Sequence, residues 1–152
     1  MQIANPLQPP IPEQPGQHIT WGNLYGASVG LALSSVIGSA KSPVVIIAPD
    51  PLTATRLEYE LSFFRHDQPV IHFPDWETLP FDQFSPHQDI VSERLSALYR
   101  MLDLQHGVIV TPISTMMQYL SPRNYLEDNT FLLSTGQKFD LQAARQRLTR
   151  AG

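Results

Sequence analysis

Two short β-branched runs constrain this chain more than any other feature. Pro43–Ala48 reads P-V-V-I-I-A and Gly107–Val110 reads G-V-I-V, and a proline follows each within two residues. Continuous apolar runs of this kind suit strands covered on both faces, as in a parallel sheet. Pro43–Ala48 therefore reads as a central parallel strand. Each run leads straight into a helix start. Asp50 suits a cap with Pro51 at the first helical position, and Leu57, Leu61 and Phe64 supply an apolar side. Thr111–Pro112 repeats that syntax and opens a helix through Ile113, Met116, Met117 and Leu120, with the two methionines read as core.

Further elements fill the same rhythm. Ile19–Tyr25 reads as a short strand, and Gly26–Ala40 as a charge-poor helix buried on more than one side. Val70–Phe73 is a third short strand. Ser85 to Leu104 has a strong helix signature: Ser85 as cap, Pro86 at the first position, Gln88 reaching back, and Asp89 in the first turn. Val91, Leu95, Leu98 and Leu102 recur at helical spacing, widened by Ile90, Ala97 and Met101, and Gly107 suits a stop signal. Strands alternating with helices predict an α/β three-layer domain with a mainly parallel sheet over residues 18–121.

The flanks read differently. Residues 1–17 hold five prolines and one charge, which suits a disordered or extended leader. After Ser121–Pro122 the rhythm changes: residues 122–152 read as a linker and the start of a second, truncated domain. Thr130–Ser134 would be a strand there, and Asp140 would cap a helix Leu141–Arg150. Such a βα tail is expected to stay mobile or to exchange between two copies, making a dimer possible.

Composition removes several function classes. With no cysteine there is no disulfide framework, thiolate nucleophile or cysteine zinc site. No apolar run approaches a membrane span, and a cytoplasmic location is the simplest expectation. A net charge of −4 argues against a strong nucleic-acid binder. Arg56, Arg65, Arg94 and Arg100 read as solvated charges interleaved with acids, for example in an Arg56–Glu60 pair.

Candidate sites are few. Laid on the phosphate-loop pattern, the turn after the first strand offers Gly26 but has Val29 at the lysine position and Gly30 at the hydroxyl position. Nothing there offsets phosphate charge or ligates Mg²⁺, so Gly26 reads as a packing turn. The five histidines lack paired spacing for zinc; His87 and Asp89 beside Asp75 and Glu77 read as capping rather than a metal site. Ser85 lacks a nucleophile elbow. No catalytic residue or metal site is assigned. The proline-fixed acidic loop carrying Asp75, Trp76, Glu77, Phe81, Asp82, Phe84 and His87 is the candidate interaction surface, although its aromatics Trp76, Phe81 and Phe84 are better suited to a fold back onto the preceding strand.

The run Asp75-Trp76-Glu77-Thr78-Leu79-Pro80-Phe81-Asp82, with Ser85-Pro86-His87-Gln88-Asp89-Ile90 and Arg94 to Tyr99, resembles the N-terminal region of the bacterial transcription-repair coupling factors. Val44–Asp50, Gly107–Pro112 and Ser114–Gln118 support the likeness. It implies a degenerate RecA-like, superfamily 2 helicase-like fold, similar to the first domain of the excision-repair helicase, component B of the excision nuclease. In that frame Gly26–Gly30 falls at a lost ATP loop, and Pro49–Thr53 and Thr111–Ile113 at nucleic-acid-contact positions. The resemblance implies a longer protein, an ATP-dependent DNA translocase that uses ATP and Mg²⁺, displaces stalled RNA polymerase and recruits the excision nuclease through its component A. These residues would then be its non-catalytic scaffold, contacting other domains of the same chain, with weak or no DNA binding. The alternative is an autonomous α/β protein that binds a nucleotide or other small molecule at the strand ends.

Overall fold

The computed structural model describes residues 2–3, 5–79, 82–129, 135–136 and 138–151. The first elements are β1 (Gln2–Ile3), β2 (Trp21–Gly22), α1 (Ser28–Ser39), β3 (Val44–Ala48), α2 (Pro51–Phe64) and β4 (Val70–His72). They are followed by α3 (Gln88–Leu102), β5 (Val108–Pro112), α4 (Ile113–Met116), α5 (Arg123–Asn129) and α6 (Leu141–Ala151). Residues Met1–Gln118 and Tyr119–Gly152 form two separate compact units.

The first unit is an α/β domain whose sheet has three parallel strands in the order β3-β5-β4. That order explains the layers. The chain crosses from β3 past β5 to β4 through α2, then returns to β5 through α3. Right-handed crossovers in opposite directions place their helices on opposite faces. Under α1 and α2 lie Ile46, Ala48, Val108 and Val110, packed with Ile37, Leu57 and Leu61. On the other face Ile71 and Phe73 meet Ala97, with Leu98, Met101 and Ile109 around them.

Pro43–Ala48, expected at the sheet centre, is an edge strand among the described residues, and β5 takes the centre. Along β3 the alternate side chains Val45 and Ile47 stay half exposed, because α3 packs on the β4 side of the sheet. A β-branched run reports that a residue suits a strand. It does not report strand order. The strand expected at Ile19–Tyr25 shrinks to Trp21–Gly22 and lies outside the main sheet, pairing in parallel with Gln2–Ile3 of the leader. Trp21 Nε1 also donates to the Pro10 carbonyl at 2.8 Å.

Helix starts split the expectations. Asp50 caps α2 as its spacing predicts: its carboxylate accepts from the Thr53 N–H at 2.7 Å and from the Thr53 hydroxyl at 2.8 Å. Ser85 does not cap α3. The helix starts later, at Gln88, and His87 Nδ1 accepts from the Asp89 N–H at 3.3 Å. The stripe is also rotated from expectation: Arg94 and Ala97 are the buried residues, and Leu95 is 51% exposed. Gly107 is not the helix stop, since α3 ends five residues earlier. It instead opens β5 at φ 127°, where a Cβ would lie 2.6 Å from the Pro69 carbonyl oxygen. The helix expected through Leu120 is only the short α4, and Met116 and Met117 are exposed rather than core.

In the second unit α5 packs on α6, with Leu126 and Ala144 buried. Asp140 caps α6 as expected, its Oδ1 accepting from the N–H groups of Gln142 and Ala143 at 2.9 and 3.1 Å. Helix α5 falls where the sequence pattern predicts a linker; its signal is Pro122 followed by an Arg123–Glu127 pair at helical spacing, observed at 2.7 Å. The strand expected at Thr130–Ser134 lies outside the described residues.

Candidate interaction surface

The loop between β4 and α3 begins on a rigid base. Arg94 of α3 is only 2% exposed, and its guanidinium carbon lies 4.3 Å from the Phe73 ring centroid and 4.1 Å from that of Trp76. Its Nη1 donates to the Pro74 carbonyl. Burial draws its pKa below the ordinary arginine value, opposed by the nearby Asp75 charge. A planar cation is suited to this place, because it can lie over two rings while its edge donates hydrogen bonds. Arg94 is therefore no solvated surface charge, as the sequence pattern suggests, but the anchor of the loop.

Three more side chains fix the same segment. The Thr111 hydroxyl donates to the Phe73 carbonyl at 3.0 Å. The Ser114 hydroxyl donates to the Asp75 carboxylate, which also accepts from Gln118 Nε2 at 3.1 Å. Residues from β5, α3 and the α4 region thus converge on Phe73–Trp76. Thr111, which the resemblance puts among nucleic-acid-contact positions, is buried and its hydroxyl is engaged internally.

Beyond Trp76 the loop turns outward. Glu77 takes a positive φ of 56°, and Leu79 and Phe84 are 78% and 77% exposed. Asp82, Ser85 and His87 are exposed as well. The seven candidate residues therefore separate into two groups. Asp75 and Trp76 belong to the half-buried base, whereas Glu77, Asp82, Phe84 and His87 lie on the outer part; Phe81 is outside the described residues. Trp76 folds back, under Arg94, whereas Phe84, expected to do the same, stands exposed because the loop turns outward at Glu77.

At the phosphate-loop position, Gly26 is exposed at φ 54° and Val29 packs partly buried against the α1/α2 core. The Ser28 hydroxyl donates to the Tyr25 carbonyl at 2.7 Å. Gly30 is buried against α2: a Cβ there would lie 2.5 Å from Glu60 Oε2 and 2.8 Å from Glu60 Cβ. The sequence pattern assigns packing to Gly26, but it is Gly30 that the helix contact needs. Arg56 and Glu60 pair at 3.6 Å, as their spacing predicts. Among the described residues no cluster of three or more His, Asp or Glu side chains could hold a metal ion. No described helix is long and apolar enough to cross a membrane.

These features define a parallel α/β domain that presents an anchored, exposed loop. The chain is homologous to a segment of transcription-repair-coupling factor and to one of UvrABC system protein B. It is 42% identical over 146 residues to the transcription-repair-coupling factor of Haemophilus influenzae, a match covering 96% of this chain and 13% of that protein. The Escherichia coli K12 protein of the same name is 41% identical over 142 residues, 93% of this chain and 12% of its own length. UvrABC system protein B of Pseudomonas savastanoi pv. phaseolicola is 27% identical over 86% of this chain and 21% of its length. The chain thus spans about an eighth of the transcription-repair-coupling factors it matches. No family model matches.

Proposed function

We propose that this chain is a non-catalytic interaction module of a transcription-repair coupling factor, acting in the cytoplasm as a scaffold within a DNA translocase whose ATP- and Mg²⁺-dependent motor lies elsewhere in the longer protein. The observation that carries this reading is the loop: its base is held by Arg94, Thr111, Ser114 and Gln118, while Leu79 and Phe84 stand in solvent. Exposed apolar side chains on a rigid support favour partner binding, because little loop entropy is lost on docking. The acidic Glu77 and Asp82 beside them disfavour a nucleic-acid backbone and suit a protein surface. Candidate partners are other domains of the same chain, RNA polymerase and component A of the excision nuclease.

The test is a Leu79→Ser/Phe84→Ser variant of the full-length protein, with binding to RNA polymerase and to that excision nuclease component measured separately. Both side chains are exposed, so melting of the folded domain should not change. Affinity for at least one partner should fall by about tenfold or more, the loss of roughly 1.4 kcal/mol. Unchanged affinity for both, with an unchanged intramolecular domain arrangement by X-ray scattering, contradicts the loop assignment.

A further inference from the structure

On the far side of the sheet from β3, β4 has no strand partner among the described residues. The β5 side of this strand is fully used: the Pro69 carbonyl accepts from Val108 N–H at 3.0 Å, and Phe73 N–H donates to the Val110 carbonyl at 2.8 Å. Backbone groups in a parallel strand alternate between its two neighbours, so residues 69, 71 and 73 face β5. Val70 and His72 therefore turn their N–H and C=O groups outward. Arg100 Nη2 reaches the Val70 carbonyl from solvent at 3.4 Å, in agreement with that direction.

These outward groups open into a cleft of about 580 Å³ between α2 and α3. One wall carries Thr55 and Glu58, with the His72 Nδ1 2.9 Å from Glu58 Oε2. The other carries Ser92, Glu93, Ser96 and Arg100. Two carboxylates thus stand against one guanidinium. Natural edge strands are usually blocked by lysines, bulges or a covering element. Here Pro69 and Pro74 limit the exposed edge to the short stretch between them, and the long 3.4 Å contact of Arg100 with the Val70 carbonyl is one that an added strand would have to displace.

We propose that the free edge of β4 is a docking site for an extended, basic segment of a partner protein, which joins the sheet as a further strand. Main-chain pairing to Val70 and His72 would supply the binding direction. Alternate side chains of the added strand would point to opposite walls. Basic ones face Glu58, and small or medium ones fit against the hydroxyl-lined wall of Ser92 and Ser96. This edge is distinct from the β4–α3 loop, so the inference stands or falls independently of that surface.

The probe is an end-capped Lys-Val-Lys-Val-Lys peptide added to the 152-residue chain, with hydrogen exchange read by NMR at single amides. Exchange at Val70 and His72 should slow by about tenfold or more at saturation, while Ile71, already paired to β5, is unchanged. The Glu-Val-Glu-Val-Glu peptide and a Lys peptide N-methylated at alternate residues should have no effect. Ser96→Trp, an exposed position, should fill the cleft and abolish the slowing while Ile71 protection persists. No slowing at millimolar peptide overturns the proposal. So does slowing that survives N-methylation, which would mean charge attraction without strand pairing. Slowing without peptide that grows with protein concentration also overturns it, by assigning the edge to a second copy.

Discussion

The two faces of the sheet are closed by different chemistry. Under α1 and α2 the contacts are aliphatic: Leu57, Leu61 and Ile37 over Ile46, Ala48 and Val110. Under α3 the apolar cluster of Ile71, Phe73 and Ala97 is joined by an arginine buried against two aromatic rings, beside a carboxylate that accepts hydrogen bonds from Ser114 and Gln118. The aliphatic face is held by surface removed from water, which is non-directional and tolerant of small shifts. The arginine on the α3 face depends on geometry as well, because a buried charge that loses its partners is costly. The face built for packing supports the domain, and the face built for geometry positions a loop.

The largest expected effect lies on the aliphatic face. Leu61 is fully buried, so Leu61→Ala should destabilise the domain by about 2–5 kcal/mol in urea unfolding. Leu95→Ala on α3, at a half-exposed site, should cost well under that range; equal losses would mean that Leu95 is packed in the core and that α3 is turned the other way.

Arg94→Ala should cost somewhat less, about 2–3 kcal/mol, for the lost ring contacts and charged hydrogen bond. Its distinctive sign is spectroscopic. In a Trp21→Phe background, the emission of Trp76 should move to the red as the ring gains water. Arg94→Lys should keep the charge without restoring the emission, because an ammonium cannot lie flat over two rings. A fully restored signal in the lysine variant would show that charge alone holds the loop.

The smallest effect is at the α2 cap. Hydrogen bonds from the Thr53 backbone and hydroxyl hold the Asp50 carboxyl below its ordinary value of 3.8. A carboxylate with a lowered folded pKa adds stability above its unfolded pKa and loses it as pH falls through the folded value. Asp50→Ala should therefore reduce stability at neutral pH and flatten the decline as pH falls below about 4. An unaltered acid slope would mean the cap contributes nothing.

The same division explains what can be read in the sequence. Val44–Ala48, Asp50–Pro51, Leu57 and Leu61 announce a strand, a cap and a helix face through local spacing alone, and the α/β class follows from their alternation. The edge position of β3 is not legible, since strand order depends on pairings between residues more than sixty positions apart, such as Val44 with Val108. Arg94 misleads because an arginine on a helix is usually solvated. Its ring partners Phe73 and Trp76 lie some twenty residues earlier and carry no periodic signal. Ser85–Pro86 has the syntax of Asp50–Pro51, yet α3 starts at Gln88 with His87 as its cap. Gly30 is legible only as a departure from the phosphate-loop pattern, because its contact with Glu60 crosses between two helices.

Titration calorimetry of the 152-residue chain with ATP·Mg²⁺ tests the non-catalytic reading most directly. Val29 packs partly buried against the core and Gly30 lies against Glu60, so the turn before α1 offers no lysine, and a threonine at position 30 would collide with α2. No saturable heat is expected up to millimolar ATP·Mg²⁺, and none for a Val29→Lys/Gly30→Thr variant that remains folded. Micromolar binding that ADP displaces would contradict the non-catalytic reading and return the chain to the nucleotide-binding proteins.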